Sequence, residues 1–212
     1  MTQQEKLYYA KRGEILVKNL RNRHFDAWYC DTKEEALAKA LELIPDGASV
    51  GWGGALSAQQ IGLFDVIRSG DYHAIDRDSC KTPEEKEQAA RDAMFADVFV
   101  SGANAMSLDG NMVNIDGLGN RVSAIIYGPK KVLVIVGMNK VFDTLDQAID
   151  RARQVAAPMN MQRFLRDTPC AVTGVCGDCK KEACICNHIV ITRHCRPAGR
   201  IQYIIVGENL GF

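Results

Sequence analysis

Short apolar runs recur along the chain at the spacing of buried strands. They follow a polar stretch over residues 4–23 that has the length and composition of a helix. Each run holds only a few residues, and each is bounded by Gly, Pro or polar residues. The predicted strands are residues 25–30, 48–52, 98–101, 132–136, 189–192 and 201–206.

Amphipathic helices are predicted between these strands, because the intervening segments carry helix-start signals. In each signal a Ser or Thr stands three residues before a Glu or Gln that can bond back to the cap. The four pairs are Thr32 with Glu35, Ser57 with Gln60, Thr82 with Glu85, and Thr144 with Gln147. We expect the last of these helices to end at Pro158. Strands that alternate with helices indicate an α/β fold, with a largely parallel sheet that helices cover on both faces.

One segment departs from this alternation and predicts a β-hairpin insertion. Asp109 and Gly110, a favoured pair for a tight turn, stand between residues 105–108 and 111–115. Asn120 then has the position of an N-cap for a short helix over residues 121–127.

Composition and charge are those of one globular domain without a general affinity for polyanions. The 212 residues are 47% apolar, and 26 basic side chains balance 26 acidic ones. A formal charge of zero provides no field that attracts nucleic acid or an anionic membrane. The first residues lack the apolar core of a signal peptide, and no run approaches the roughly 20 apolar residues of a membrane span. We therefore expect a cytoplasmic protein without nucleic-acid or membrane partners.

A glycine-rich loop joins the strand over residues 48–52 to the next helix. Gly53, Gly54 and Ser57 would let the backbone approach a ligand, and the helix N-terminus offers free N–H groups to an anion. The spacing of a dinucleotide fingerprint and the Lys-Ser/Thr pair of a P-loop are missing, so there is no nucleotide motif. The alternative is a tight turn in which Ser57 is an ordinary cap.

Polar side chains crowd the segment that contains the hairpin. Asn104, Asp109, Asn120 and Arg121 supply amide, carboxylate and guanidinium groups after a buried strand. Because ligands gather beyond the carboxyl ends of strands in open α/β sheets, we expect these side chains to line a pocket with the glycine loop. The alternative is that they only satisfy turn geometry. No recognisable motif names a catalytic nucleophile, so the catalytic residues are unknown.

Six of the eight cysteines lie in the last fifth of the chain, which indicates a metal site in a reducing compartment. Cys170, Cys176, Cys179 and Cys186 form the pattern C-x5-C-x2-C-x6-C. Four thiolates are a preferred shell both for zinc and for a [4Fe–4S] cluster, so we expect one of these two groups. A disulfide or a redox-active C-x2-C pair is the alternative.

Several motifs together resemble the LUD (lactate utilisation) domain family, in particular its short members with a cysteine tail. They are Gly102-Ala103-Asn104-Ala105, Val113-Asn114-Ile115-Asp116-Gly117, Ile126-Tyr127-Gly128-Pro129 and Thr173-Gly174-x-Cys176-x-Asp178-Cys179. The resemblance implies one domain over residues 1–212, with a cysteine-rich metal-binding loop at 168–188. It also implies a fold akin to sugar-phosphate isomerases, coenzyme A transferases and initiation-factor regulatory subunits. Cys184 falls where members of the family usually have other residue types, so we leave it out of the ligand set.

The family resemblance implies an association with the oxidation of lactate to pyruvate, in which some members accompany iron–sulfur oxidoreductase subunits. We therefore expect a component of lactate or organic-acid utilisation that carries a cysteine-bound metal or iron–sulfur centre. One alternative is an isomerase, transferase or hydrolase that acts on a small anionic metabolite, which carries a phosphate, coenzyme A or hydroxy-acid group. The other is a non-catalytic metal or redox sensor. A homodimer is compatible with each of these functions.

Overall fold

The computed structural model describes residues 1–164 and 166–212. Its α-helices are α1 Gln3–Asn22, α2 Lys33–Leu43, α3 Leu56–Gln60, α4 Leu63–Ser69, α5 Pro83–Asp92, α6 Asn120–Tyr127, α7 Leu145–Arg151, α8 Ala157–Met161 and α9 Pro169–Thr173. Within this described part of the chain, no helix combines the length and the apolar character that crossing a membrane requires.

Six parallel strands form the main sheet. The strands of both sheets, in chain order, are β1 Asp26–Cys30, β2 Ser49–Trp52, β3 His73–Ile75, β4 Val98–Gly102, β5 Ala105–Ser107, β6 Met112–Asp116, β7 Lys131–Gly137, β8 Val141–Phe142, β9 His188–Thr192 and β10 Ile201–Val206. The order in the main sheet is β1-β10-β7-β4-β2-β3, and every neighbouring pair in it is parallel. The predicted α/β architecture is therefore confirmed.

The other four strands form a second, smaller sheet in the order β8-β5-β6-β9. β5 and β6 are antiparallel, with Ala105 opposite Val113, which confirms the predicted hairpin. The strand predicted over residues 189–192 is β9, and it pairs with β6 along its whole length. The hairpin is thus the centre of a sheet rather than an isolated insertion.

Apolar side chains from alternate positions of β7 separate into two clusters, one on each face of the main sheet. Val132, Val134 and Val136 pack with residues of α1 and α6. Leu133 and Ile135 pack with residues of α2, α3 and α4. The sheet is buried on both faces, as a parallel sheet requires.

Two of the four predicted capping boxes are complete. They are Thr82 with Glu85 and Thr144 with Gln147. At the start of α2 the Thr32 hydroxyl accepts a hydrogen bond from the Glu35 N–H group, as expected. The Glu35 carboxylate, however, accepts from the N–H group of Asp31 and not from that of Thr32.

The prediction that Ser57 caps a helix is wrong. The N-cap position of α3 is Ala55, and Ser57 lies inside the helix with its side chain fully buried. Its hydroxyl is within hydrogen-bond distance of the Leu210 carbonyl, at 3.4 Å. The predicted single helix is divided into α3 and α4, because Gly62 between them adopts a left-handed conformation (φ 83°).

The prediction that Asn120 caps α6 is also wrong. Asn120 is the first helical residue, and Gly119 occupies the N-cap position in a left-handed conformation that favours glycine (φ 88°). The carboxylate of Asp116 takes over the capping function, since it accepts hydrogen bonds from the N–H groups of Val122 (3.1 Å) and Gly119 (3.3 Å). A negative charge at this helix start is favourable.

The helix that begins after Thr144 does not end at Pro158. A π-helical segment, Ala152–Ala156, links α7 to α8, so the rod runs on to Met161. Pro158 falls in the first turn after this change of hydrogen-bond register, where a missing N–H group disrupts the helix least.

We predict that Ile135→Ala lowers the free energy of unfolding by about 3 kcal/mol, because it leaves a cavity in the centre of the main sheet. Ile135 is 0% exposed, whereas Ile126 on α6 is 60% exposed and provides the matched control. Urea denaturation of Ile126→Ala should show a loss well below 1 kcal/mol. Equal losses for the two variants would contradict the assignment of the core.

Candidate functional site

The carboxyl ends of the main-sheet strands open into a cavity of about 450 Å³, which we call the edge cavity. Because the strands are parallel, the segments that follow β2, β3, β4 and β7 meet at one edge of the sheet. The lining residues from these segments include Gly53, Gly54, Ala55, Arg77, Asp78, Ala103, Asn104 and Lys140. Residues of α6 and of the segment around α8 complete the lining, among them Asn120, Arg121, Asn160, Arg163, Phe164 and Arg166.

The two glycines that follow β2 have different surroundings. A Cβ atom added to Gly53 would lie 2.9 Å from Cγ of Arg121, so the glycine lets this arginine lie directly against the loop. A Cβ atom added to Gly54 would meet no atom within 4 Å. Gly54 therefore borders open space, and a larger side chain there would narrow the edge cavity.

Hydrogen bonds hold the guanidinium group of Arg121 in one orientation. Its Nη2 atom donates to Oδ1 of Asn104 (2.9 Å) and to the carbonyl of Ile115 (2.6 Å). Its Nε atom lies 3.7 Å from a carboxylate oxygen of Asp116. Among the described residues Nη1 has no hydrogen-bond partner. Since Arg121 lines the edge cavity, Nη1 is the donor that is left for a ligand.

A lysine that sequence analysis missed, Lys140, also lines this cavity. It ends the 3₁₀ turn that follows β7, and only 4% of its surface is exposed. Its Nζ atom donates to the Ser57 hydroxyl at 3.1 Å, and within the described residues it makes no ion pair. Burial, with a smaller contribution from the charges of Arg151 and Arg121, lowers the pKa of Lys140 to about 7.

Charged side chains in the lining are more often basic than acidic. The basic residues are Arg77, Arg121, Lys140, Arg163 and Arg166. The acidic residues are Asp78, Asp116 and Glu182. Behind the lining, Arg151 donates to the carbonyl of Asn104, and burial lowers its pKa to about 10. The cavity is therefore electrostatically suited to an anion.

The predicted ligand residues fall into three groups. Five line the edge cavity: Gly53, Gly54, Asn104, Asn120 and Arg121. Ser57 is not in the lining but bonds to Lys140 behind it. Asp109 lies apart, at the turn between β5 and β6, where its carboxylate pairs with Arg23 at 2.8 Å. Lys140 gave no signal in the sequence, because its burial depends on contacts between distant segments.

A second cavity, of about 410 Å³, brings the predicted metal ligands together, and we call it the thiol cavity. Its lining includes Cys170, Cys176, Cys179 and Cys186. Cys184, which the family resemblance had left out, lines it as well. Cys170 belongs to α9, whereas the other four lie between α9 and β9, where the chain forms neither helix nor strand. All of these cysteines are free thiols.

The thiols are close enough to influence one another's ionisation. Burial, together with the nearby Cys184 and Cys176, raises the pKa of Cys186 to about 12. Burial and a hydrogen bond with Cys184 also raise the pKa of Cys179. Over residues 1–164 and 166–212, however, no three Cys, His, Asp or Glu side chains are grouped closely enough to hold a metal ion. The cysteines thus share one cavity without a preformed coordination shell.

The two cavities have a common wall. The residues that line both are Ile115, Cys184, Ile185 and Asn187. The N–H group of Asn187 donates to the Asp116 carbonyl (3.0 Å), and its side-chain amide donates to the Gly117 carbonyl (3.1 Å). A movement of the cysteine-rich loop would therefore displace one side of the edge cavity.

Comparison with known proteins gives one family match. The model of the LUD domain matches residues 13–206. No curated protein matches the chain. Among solved structures, a DUF162 family protein from Deinococcus radiodurans superposes with a TM-score of 0.51 at 12% identity, over 93% of this chain and 97% of that one. This likeness concerns the fold.

Two sugar-phosphate isomerases are more distant structural matches. D-ribose-5-phosphate isomerase in complex with phospho-erythronic acid has a TM-score of 0.37 at 20% identity, with 63% of this chain and 62% of that one covered. Ribose 5-phosphate isomerase A from Neisseria gonorrhoeae has a TM-score of 0.33 at 20% identity, with 53% and 54% covered.

We predict that Lys140→Met stabilises the ligand-free protein at pH 6 by about 2 kcal/mol, because it removes a buried cation. The pKa of Lys140 is about 7 in the folded chain and has its ordinary value of 10.5 in the unfolded chain. Below pH 7 both states carry the proton, so the cost of burying the charge is fully present. Between pH 7 and 10.5 only the unfolded state keeps the proton, so this contribution makes the wild type more stable as the pH rises.

Urea denaturation at several pH values measures this effect. In Lys140→Met the rise in stability between pH 7 and 10 should be smaller than in the wild type. Lys131→Met is the control, since Lys131 lies at the opposite end of β7 and its Nζ donates to the Leu43 carbonyl. If both variants kept the wild-type pH profile, Lys140 would not be a buried, unpaired cation.

Proposed function

The chain belongs to the LUD domain family, and on that premise we propose that it binds a small organic acid, such as lactate, in the edge cavity. In this proposal the protein is a component of lactate or related organic-acid utilisation. Lys140 and the five predicted ligand residues that line the edge cavity would contact the acid group. These five are Gly53, Gly54, Asn104, Asn120 and Arg121.

One observation carries the proposal: Lys140 is buried beside two arginines and, among the described residues, pairs with no carboxylate. A buried cation without a counter-charge is costly unless a ligand supplies the charge. A carboxylate in the edge cavity would accept hydrogen bonds from Nζ of Lys140 and Nη1 of Arg121. The binding of an anion and the uptake of a proton by Lys140 would then be coupled.

A second unsatisfied polar group belongs to a residue of the cavity wall. The indole N–H of Trp52 is buried, and it has no hydrogen-bond partner in the described part of the chain. Trp52 lines the edge cavity, where its ring stacks on Phe64 at a centroid distance of 4.5 Å. Such an unsatisfied donor costs free energy unless a ligand or a water molecule accepts from it.

We predict that L-lactate raises the melting temperature of the wild type and that Lys140→Met removes most of this shift. The reason is that bound ligand adds stability in proportion to its affinity for the folded state. The effect should weaken as the pH rises above 7, because Lys140 then loses its proton more readily. Differential scanning fluorimetry at pH 6.5 and 8.5 measures both effects.

Lys131→Met provides the matched control and should keep the lactate shift. Gly54→Val, which adds a side chain where there is open space, should keep the fold and reduce the shift. Inorganic phosphate and acetyl-coenzyme A are run in parallel, because a phosphate or coenzyme A ligand would point to isomerase or transferase chemistry. If no small organic acid changed the melting temperature, the proposal would be wrong, whatever the result with phosphate or acetyl-coenzyme A.

We further propose that the thiol cavity holds a cysteine-bound metal centre. The donor chemistry fits, since five thiols line one cavity and thiolates are the preferred ligands of zinc and of iron–sulfur clusters. A bound cation would also favour the thiolate forms of Cys179 and Cys186, whose pKa values are raised by burial and then by the neighbouring thiols. Because the loop between α9 and β9 lacks regular backbone hydrogen bonding, its thiols are free of the constraints of a sheet or helix.

Cys170, Cys176, Cys179 and Cys186 remain the proposed ligand set, with Cys184 as a fifth thiol in reach. A zinc ion held there would order the loop that forms the common wall. An iron–sulfur cluster would supply one-electron transfer, which fits a partnership with an iron–sulfur oxidoreductase subunit. In either case these residues hold the metal beside the cavity in which we propose that the organic acid binds.

We predict that protein purified without oxygen carries metal and that Cys176→Ala lowers its content at least about tenfold, because the chelating C-x2-C pair is lost. Elemental analysis and the visible spectrum measure the metal and its type. Cys80→Ala is the control, since Cys80 lies outside the thiol cavity. Metal-free wild-type protein, after purification without oxygen or chelators, would overturn this second proposal.

A further inference from the structure

We propose that the amine of Lys140 forms a reversible imine with the carbonyl group of a 2-oxo acid in the edge cavity. This inference rests on the proposed function, because the carboxylate of the acid must be bound there first. It adds a covalent step and a chemical class of ligand: a small carboxylate that carries a ketone or aldehyde next to its acid group.

The surroundings of Nζ are those of a nucleophilic amine. Ser57 Oγ is its hydrogen-bond partner at 3.1 Å, and a Cβ atom placed on Gly211 would lie 2.8 Å from Nζ. The backbone at Gly211 and the buried Ser57 therefore confine the amine on one side, while the edge cavity provides the other. In the described part of the chain no carboxylate pairs with Nζ and so favours its protonated form, which has no lone pair.

Attack on a carbonyl also requires the neutral form of the amine, and the surroundings of Lys140 favour that form. Burial disfavours an ammonium group at this position most, and the charges of Arg151 at the end of α7 and Arg121 on α6 add to the effect. Desolvation and adjacent positive charge are general ways in which proteins activate a lysine for attack on a carbonyl. Burial also lowers the pKa of Arg121, which Asp116 partly offsets, but a guanidinium group starts from a far higher pKa than an amine and can hold the carboxylate through Nη1.

The turn that carries Lys140 is held in place by the end of the chain. The N–H group of Met138 donates to the Glu208 carbonyl at 3.1 Å, and Asn139 Oδ1 accepts from the N–H group of Leu210 at 3.0 Å. A nucleophile must be positioned before it reacts, and these contacts fix the backbone on which Lys140 sits.

The atoms of the step balance without a further reagent. The lone pair of Nζ forms a bond to the carbonyl carbon, and the C=O π electrons move to the oxygen, which takes up the proton that the nitrogen releases. Protonation and departure of this hydroxyl as water then breaks the C–O bond and leaves an iminium ion. From the ammonium form, the sum is ammonium plus carbonyl to iminium plus water. The iminium withdraws electrons from the neighbouring carbon and so activates it.

Reductive trapping tests the imine. We expect that pyruvate with sodium cyanoborohydride at pH 7.5 modifies one lysine, found by peptide mass spectrometry at Lys140. The mass gain should equal that of pyruvic acid less one oxygen atom. L-lactate, which has no carbonyl group, should give no adduct, and an excess of L-lactate should suppress the reaction with pyruvate.

Two variants separate charge from nucleophilicity. Lys140→Arg keeps a cation but has no amine, so it should keep the thermal shift with L-lactate and lose the adduct. Lys131→Arg should keep both. If Lys140→Arg does not fold, suppression of the wild-type adduct by L-lactate still decides whether the reaction occurs in the edge cavity.

The outcomes distinguish this inference from the proposed function. A thermal shift with pyruvate and lactate, but no adduct at Lys140, would overturn the imine and leave acid binding intact. Adducts spread over surface lysines, or an adduct that lactate does not suppress, would also overturn it. The absence of any thermal shift and of any adduct would overturn both proposals.

Discussion

Buried positive charge without enough carboxylate to balance it is the constraint on which the site depends. Lys140, Arg121 and Arg151 lie close enough together that the two arginines lower the pKa of the lysine. Within the described residues, Asp116 is the one acid that pairs with any of these three cations. The cations are satisfied instead by neutral acceptors, mainly the carbonyls of Asn104 and Ile115. Neutral acceptors meet the need for hydrogen bonds and leave the net charge in place, which focuses the field on the cavity.

The thiol cavity offers a different chemistry. Burial, and then the neighbouring thiols, raise the pKa values of Cys179 and Cys186, so a bound cation would be needed to favour their thiolate forms. The proposed anion site and the proposed metal site share the wall formed by Ile115, Cys184, Ile185 and Asn187. Arg153 contributes to this arrangement, since it pairs with Asp178 at 3.0 Å and so attaches the cysteine-rich loop to the π-helical segment. The two proposed ligands therefore differ in charge but depend on the same stretch of chain.

Local chemistry explains which features could be predicted from the sequence. Complete capping boxes at Thr82 and Thr144, and the Asp109-Gly110 turn, depend on residues within a few positions of one another. The burial of Lys140 has no such local cause, because it depends on α3 and on the chain near Gly211. From sequence alone, a lysine on a short polar turn is predicted to be exposed. In the folded chain α3 and the segment near Gly211 cover it.

Two capping interactions differ from those that the sequence predicts. The spacing of Ser57 and Gln60 predicts a cap, yet the Ser57 hydroxyl accepts a hydrogen bond from Nζ of Lys140. Asp116 does not fit the capping-box spacing, because residues 117–119 separate it from α6, yet the turn at Gly119 brings its carboxylate back onto the helix. Ser57 thus bonds to a partner that the tertiary structure provides, whereas Asp116 bonds to N–H groups three and six residues further on.

Asp116 also connects the two cavities mechanically. Its carboxylate caps α6 and lies beside Arg121, while its carbonyl accepts from the N–H group of Asn187 at the end of the cysteine-rich loop. Ordering of that loop would act on the backbone of Asp116, and through the start of α6 on the orientation of Arg121. Among the described residues Lys140 donates one hydrogen bond, whereas Arg121 donates two and lies beside Asp116, so the arginine is the more firmly held of the two. By linkage, an acid bound to Arg121 would in turn favour the ordered loop, since coupling between two binding sites is reciprocal.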